Sequence, residues 1–370
     1  MVSRTLLVQR PAQTLLRAAS MLMVCLSALN AKAQPQRAFA DSLRQAYHIP
    51  GLAYAVVSPD TVLELQSIGF RKNRSDLAAR VSDEFHLGSN SKSVTGCIAT
   101  MLVSKGILRW DSRVVEVLPE LRGSIRREYR SVTLLDLLTH RSRLPRCGIG
   151  DRFPRRSLFH GSDSEKRLTF GRWILQHAPA GHRGRIRFSN GGYIIAALML
   201  ERASQRSFEQ LVQEFGLSVG IHIGFGYPNT SDSTQPYGHD ERGHPLSSGD
   251  AFRESLLSAA GNLRMSTPDF AKFLQFQLRG LCGRSPLMDS TTCGYMHYCR
   301  SVYSVGWEWH IDARHRRVSD HLGSAGSFCS RAILIPESGR AIVIFTNASP
   351  DASVEAIDLL ARRLQWVYAE

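Results

Sequence analysis

Ser89 and Lys92 stand three residues apart in the stretch Phe85-His86-Leu87-Gly88-Ser89-Asn90-Ser91-Lys92, a spacing that can make a self-contained nucleophile. From Val94 the apolar residues recur as Val94, Cys97, Ile98, Met101 and Leu102, and Gly106 follows as a stop. The pair therefore opens an amphipathic helix. At such an N-terminus unpaired N–H groups and the positive end of the dipole favour a developing negative charge. Residues three apart share a helix face, so the Lys92 amine can reach the Ser89 hydroxyl. A lysine desolvated there loses its proton near neutral pH and can act as the serine's base. Alone, a serine and lysine at this spacing are usually a helix cap and a solvated lysine. The rest of the chain has to decide between the two readings.

The elements that would position the pair are legible in the apolar pattern. Phe39, Leu43 and Ala46 mark a short helix. Residues 52–58 and 62–69 read as strands with Pro59-Asp60 as their turn. A mostly helical middle follows, with elements over 133–138 and about 190–203. A third helix starts at Ser207, where Ser207 and Gln210 form a capping box. Thr267, with Pro268 behind it, is the expected cap of a further helix. Residues 331–335 and 341–346 are expected strands, and 351–368 a final helix. Strands at both ends and helices between predict a mixed α/β (α+β) fold. An antiparallel sheet is completed by the two termini and flanked by helices, with a mostly helical second lobe and a cleft where the two meet.

Bulk properties narrow the function classes. The chain has 370 residues, 43% of them hydrophobic, enough for a sizeable core. Arg4, Arg10 and Arg17 precede an apolar run over 18–29, and Ala31-Lys32-Ala33 supplies a small-x-small cleavage pattern. These features predict a signal peptide over 1–33 and a mature domain over 34–370. The run is shorter than the ~20 residues of a membrane span, and Val24 before Cys25 disfavours a lipoprotein anchor. A periplasmic or secreted protein without a stable membrane anchor is expected. The formal charge of +14 comes partly from arginines between Arg122 and Arg130 and between Arg141 and Arg156. No nucleic-acid-binding module accompanies them, so they read as a solvated basic face of the kind that attracts anionic envelope polymers. Cys97, Cys147, Cys282, Cys293, Cys299 and Cys329 remain after the leader, and spacing alone does not decide whether any pair. No cysteine and histidine spacing suggests zinc, and no metal or cofactor is expected.

Several motifs now line up in order. His48-Ile49-Pro50-Gly51 leads into the first strand, and the Ser89 motif follows. Then come Leu137-Leu138-Thr139-His140, Phe188-Ser189-Asn190, Gly261-Asn262-Leu263 with Ser266-Thr267, His321-Leu322-Gly323 and Phe345-Thr346-Asn347. From about Pro50 to the C-terminus the chain resembles the serine beta-lactamase-related family of class C beta-lactamases, D-alanyl-D-alanine carboxypeptidases and related esterases. The resemblance implies a beta-lactamase/transpeptidase-like fold, with Ser89 the acylated nucleophile and Lys92 its proton acceptor. It implies that Asn190 bonds Lys92 and the substrate amide, and that His321 and Gly323 belong to a third motif on the sheet edge. The N–H groups of Ser89 and Ser324 would form the oxyanion hole. Taken singly, Asn190 reads as a helix cap and His321 as an exposed strand residue. His140 reads as a structural residue at a helix end, and Tyr193 as a core contact.

Two positions depart from the family pattern. Phe188 stands where the family has a tyrosine whose phenol shuttles protons, and Arg143 where it has a glycine. The leading expectation is an exported serine hydrolase acting on a small ester, amide, D-amino-acid peptide or beta-lactam, with a small-molecule or peptidoglycan-like substrate as its partner. The alternative is a penicillin-binding sensor or pseudoenzyme of the same fold that acylates without turnover, which Phe188 favours. A basic envelope-binding protein without chemistry is the third reading, and the intact Ser89–Lys92 spacing argues against it.

Overall fold

The computed structural model describes residues 33–147, 153–182, 184–247 and 255–369. The expected leader lies outside these residues up to position 32, and a helix covers 33–46. Among the described residues a six-stranded antiparallel sheet runs in the order β2-β1-β11-β10-β9-β8. Its members are β1 (Gly51–Val57), β2 (Val62–Gly69), β8 (Glu308–Ile311), β9 (Arg317–Ser324), β10 (Cys329–Ile335) and β11 (Arg340–Thr346). Leu52 faces Thr346 and Val57 faces Ala341 across the β1–β11 pair, so the first and last strands are neighbours, as the sequence pattern predicts.

β1 and its neighbour β11 are buried on both faces, and their side chains alternate between two cores. Ala53, Ala55 and Val57 of β1, with Val343 and Phe345 of β11, point into the larger core. Leu52, Tyr54 and Val56, with Ile342 and Ile344, point into the smaller one, as a period of two requires. The smaller core is closed by the terminal helices, 33–46 through Ala40 and Leu43, and Pro350–Tyr368 through Ile357, Leu360 and Leu364. The larger core joins the sheet to the helical lobe. There the helix Thr267–Leu281 lies on the sheet, with the Phe270 ring 5.6 Å from that of Phe345.

Ser207 and Gln210 make the expected capping box of the helix Phe208–Val219. The next cap is one residue earlier than expected. Ser266, not Thr267, accepts from the Asp269 N–H, because its extended backbone aims its hydroxyl into the first turn. The third motif lies on a partial edge of the sheet. β9 is followed by β8, but β8 pairs only with residues Arg317 to Asp320. The half of β9 from His321 to Ser324 therefore keeps a free edge.

A small three-stranded sheet links sheet and lobe: β3 (Glu84–His86), β7 (Leu263–Ser266) and β4 (Gly224–Phe225), with β7 central. β3 delivers the chain into the helix Ser91–Ser104, whose residues are buried almost all round. A helix apolar or buried on every side needs close neighbours. Here one is backbone: a Cβ on Gly96 would lie 2.7 Å from the Val305 carbonyl, and one on Gly306 2.5 Å from that of Lys92.

Candidate active site

The nucleophile sits where β3 passes into a single 3-10 turn, Gly88–Asn90, ahead of the helix Ser91–Ser104. Gly88 has φ +51°, and a Cβ there would lie 2.5 Å from the Ser324 nitrogen. The chain thus turns directly against the free half of β9. Gly323 is as crowded, since its Cβ would meet the Leu87 carbonyl at 2.1 Å and the Asn90 nitrogen at 2.9 Å. Both contacts place the backbone of Ser324 beside that of Ser89, where two N–H donors could share one oxyanion.

Lys92 Nζ is 3.0 Å from Ser89 Oγ and donates to the Ala260 carbonyl at 2.6 Å. Only 4% of Lys92 is exposed, and among the described residues no carboxylate pairs with it. Burial alone pushes its amine down to about 7, because a buried ammonium loses its hydration. In the neutral form one N–H stays on Ala260 and the lone pair can face the Ser89 hydroxyl. That is the arrangement an activated serine requires.

The second motif is placed differently from expectation. Asn190 is the first residue of the helix Asn190–Ser204, but its side-chain amide donates to the Cys147 carbonyl at 3.2 Å rather than meeting Lys92. Its own N–H bonds the Arg146 carbonyl at 2.9 Å, so the helix start is stitched to the 145–147 segment. Ser189 adds a bond to the Pro145 carbonyl at 2.5 Å. Arg143, on the same loop, adopts φ +66°, the left-handed conformation that suits a glycine. The loop keeps the shape a glycine would allow, with backbone strain of about 1 kcal/mol.

The third motif places His321 buried beside the site. Its Nδ1 is 3.1 Å from the Leu322 carbonyl, which can only accept, so Nδ1 carries the proton. Nε2 then accepts from the Tyr303 hydroxyl at 3.2 Å. Burial, and secondarily the Lys92 charge, lower its pKa to about 3. His321 is a neutral ring with both nitrogens engaged, and it is committed to Tyr303 and its own strand instead of Ser89.

His140 is neutral too, held well below its usual range by burial, then by Lys92 and His321. Its Nδ1 accepts the Ser189 N–H at 3.2 Å, so it positions the second motif and carries no charge to a helix dipole. Tyr193 is fully buried, donates to the Leu138 carbonyl at 2.8 Å and lies 5.5 Å beneath Lys92 Nζ, measured to the ring centroid. Phe188 is 47% exposed, packed on the His140 ring at 4.8 Å and edge-on to Tyr303 at 5.3 Å.

Three participants had no clear signal in the sequence. The Ala260 carbonyl is backbone, invisible in residue type, although the adjacent Gly261-Asn262-Leu263 marks the neighbourhood. Asn90 donates to Ser330 Oγ at 2.7 Å and to the His321 carbonyl at 3.2 Å, pinning the turn to β9 and β10. Tyr303 stands in Ser301-Val302-Tyr303-Ser304-Val305 with no motif around it, yet its hydroxyl meets both His321 and Tyr193, the latter at 3.3 Å.

Comparison with known proteins fits this arrangement. The family described as Beta-lactamase matches residues 36–365. The chain is 22% identical over 366 residues to a beta-lactamase of Providencia stuartii, covering 89% of this chain and 90% of that one. Among solved structures, a class C beta-lactamase from Rhodobacter sphaeroides superposes with a TM-score of 0.71 at 19% identity, over 89% of this chain and 99% of that one. The D-alanine carboxypeptidase AmpC from Burkholderia cenocepacia gives 0.72 at 19% identity, over 92% and 100%. The two likenesses carry the fold, and the family match runs through every motif from the first strand to the last helix. On that ground the chain belongs to the beta-lactamase family, a membership that supports a serine hydrolase working through an acyl-enzyme.

Proposed function

We propose that this protein is an exported serine hydrolase that forms an acyl-enzyme on Ser89 with a small ester, amide, D-amino-acid peptide or beta-lactam. The observation that carries the reading is the 3.0 Å approach of Lys92 Nζ to Ser89 Oγ, with the amine held near neutrality by burial. Ser89 Oγ attacks the substrate carbonyl as Lys92 takes its proton. The carbonyl oxygen becomes an oxyanion facing the N–H groups of Ser89 and Ser324. Collapse of that intermediate expels the leaving group, which takes the proton back from Lys92, and leaves Ser89 esterified. Water then attacks the ester as the same amine accepts its proton, and collapse of the second intermediate breaks the bond to Ser89 Oγ, which takes that proton back from Lys92 as the acid product leaves. Gly323 lets the substrate approach β9. Asn190 would serve the substrate amide only after leaving the Cys147 carbonyl, and His321 acts by packing beside the site.

Export rests on the leader pattern over residues 1–33, and a periplasmic or extracellular location follows from it. A second reading has a specific observation in its favour: at position 188 there is no hydroxyl, and the nearby phenol of Tyr303 is already bonded to His321. The acyl-enzyme would then persist, as in a penicillin-binding sensor. Intact-mass measurement after exposure to a fluorescent penicillin and to a fluorophosphonate tests both. A penicillin adduct that decays supports the hydrolase and one that persists supports the sensor, while the stable phosphonate adduct reports that Ser89 is nucleophilic. No adduct with either reagent, or an adduct retained in Ser89→Ala, refutes the assignment.

A further inference from the structure

The Ser89–Lys92 pair does not hold itself in place. Both residues lean on one corner of the chain, residues 259–263, where a short helix, Ser258–Gly261, gives way to β7. The Ala260 carbonyl receives Lys92, and the Leu263 N–H donates to Ser91 Oγ at 3.0 Å. The Ala259 carbonyl accepts from Thr95 at 2.8 Å, and the Leu263 carbonyl from the Leu87 N–H at 2.8 Å. A Cβ on Gly261 would touch the Gly88 carbonyl carbon at 3.7 Å. The corner is therefore in contact with the nucleophile's turn and with its base at once.

One link in this frame is made by two buried side chains. His86, the last residue of β3, is 2% exposed, and Asn262 is 3% exposed. The Gly88 N–H donates to His86 Nδ1 at 3.1 Å, and His86 Nε2 lies 3.0 Å from Asn262 Oδ1. A backbone N–H can only donate, so Nδ1 is bare and the neutral ring carries its proton on Nε2. Asn262 Oδ1 accepts that proton and so selects the tautomer. With the other tautomer, two N–H groups would face each other at Gly88. The ring is wedged between aromatic neighbours, 5.1 Å from Tyr227 and 6.3 Å from Phe328, and cannot turn to another partner without unpacking them.

We propose that His86 and Asn262 are positioning residues of the reaction: through the Gly88 N–H they hold the Leu87–Gly88 peptide and, together with the Ser91 Oγ bond to the Gly88 carbonyl at 2.8 Å, fix the turn at Gly88 so that the Ser89 N–H and Oγ address one substrate carbonyl. The proposal rests on the acyl-enzyme reading above. The turn matters because the Ser89 N–H in the following peptide is an oxyanion donor, and a donor stabilises the intermediate only at the correct angle. Gly88 sits at φ +51°. The Leu87 and Gly88 carbonyls on either side are held by Ser330 Oγ at 2.6 Å and Ser91 Oγ at 2.8 Å. Without His86 the buried Gly88 N–H between them loses its acceptor, and the turn shifts to find another. The two residues touch no reacting atom and act through backbone orientation. Their loss should lower the rate of acylation with little change in reagent binding.

The test measures covalent labelling of the purified full-length protein by a fluorophosphonate at several concentrations, separating the maximal labelling rate, in which Ser89 Oγ displaces fluoride from phosphorus, from the half-saturating concentration. Thermal unfolding is followed by circular dichroism on the same samples. His86→Leu and Asn262→Ala are each expected to lower the maximal rate on the order of 100-fold, with half-saturation nearly unchanged. His86→Asn puts an amide oxygen near the Nδ1 position and is expected to restore most of the rate, which a purely structural role would not predict. Should His86→Leu fail to fold, Asn262→Ala and His86→Asn carry the comparison. Wild-type rates in folded Asn262→Ala would overturn the proposal, as would a loss that tracks only the unfolded fraction. If the wild-type protein takes no label at all, it is the acyl-enzyme reading that falls.

Discussion

At the scale of single residues the chemistry turns on the protonation of Lys92. In the proposed reaction its neutral form is the base, and burial lowers the amine to about 7. Labelling of Ser89 should therefore rise with pH through a midpoint near 7 and level off above it, as a stopped-time assay from pH 5 to 9 would record. A flat profile would remove Lys92 from the base role. The same shift has a sign for stability. An unfolded lysine titrates near ~10.4, so from about pH 7 to that value the unfolded chain holds one more proton here than the native one. This group's contribution to stability then increases with pH across that window, and is lost as pH falls through the folded value. Lys92→Arg keeps a cation that stays protonated at any working pH and should leave no more than a trace of labelling. Phe188 is the other decisive position. A positioned proton shuttle typically contributes ~10²–10⁴-fold, so Phe188→Tyr should speed steady-state turnover of a chromogenic cephalosporin or generic ester by about 10²-fold. Slower turnover in that variant would mean that the aromatic packing on His140 and Tyr303 matters more than the hydroxyl.

At the scale of elements, the site depends on how closely a turn can press on a strand edge. β8 stops short of His321, which leaves the end of β9 open to the Gly88–Asn90 turn. The space between them admits no side chain at 323. Gly323→Ala places a methyl 2.1 Å from the Leu87 carbonyl and 2.4 Å from Ser330 Oγ. The turn would have to retreat. Overpacking of this kind costs about 1–3 kcal/mol, and the variant should lose that much in urea unfolding together with nearly all labelling. Retention of labelling in Gly323→Ala would show that the turn and strand need not touch. Much at this scale was legible in the chain: the continuous apolar runs of β1 and β11, the Ser207 capping box, and the stripe from Val94. Residues 308–311 and 317–324 were harder, because exposed and buried positions in β9 mix Arg317, Asp320 and His321 with Val318 and Leu322. Such a strand has no clean period.

For the molecule as a whole, the catalytic cleft is only as firm as the lobe beside it. Arg167 is fully buried there, bonded to Glu201 at 2.5 Å and to Glu209 at 3.0 Å. Glu201 also accepts the Phe208 N–H at 2.8 Å, so one cluster ties three helices: Asp163–Ile174, Asn190–Ser204 and Phe208–Val219. Removing one partner of a buried pair strands the other charge, at a cost of about 3–5 kcal/mol. Arg167→Met should lower the unfolding midpoint accordingly, and Glu201→Gln added to it should recover part of the loss. Any fraction that remains folded should label at the wild-type rate, since no member of the cluster bonds the site. An unchanged midpoint would mean that the cluster is incidental.

What the sequence determined by itself were properties that depend on neighbours along the chain. Ser89 and Lys92 share a helix face because they are three apart. β1 and β11 alternate because strands do, and Ser207 caps because Gln210 follows at the right distance. The tertiary structure decided everything that depends on a partner far away in the chain. Asn190 turned to Cys147, His321 became neutral and bound Tyr303, and His86 met Asn262 across 176 positions. Lys92 itself belongs to both classes. Its reach to Ser89 is local, but the fall of its amine to about 7 comes from burial, which residues from several elements have to supply together. A hydrogen-bond partner or a low dielectric is a property of the folded neighbourhood, and residue spacing encodes neither.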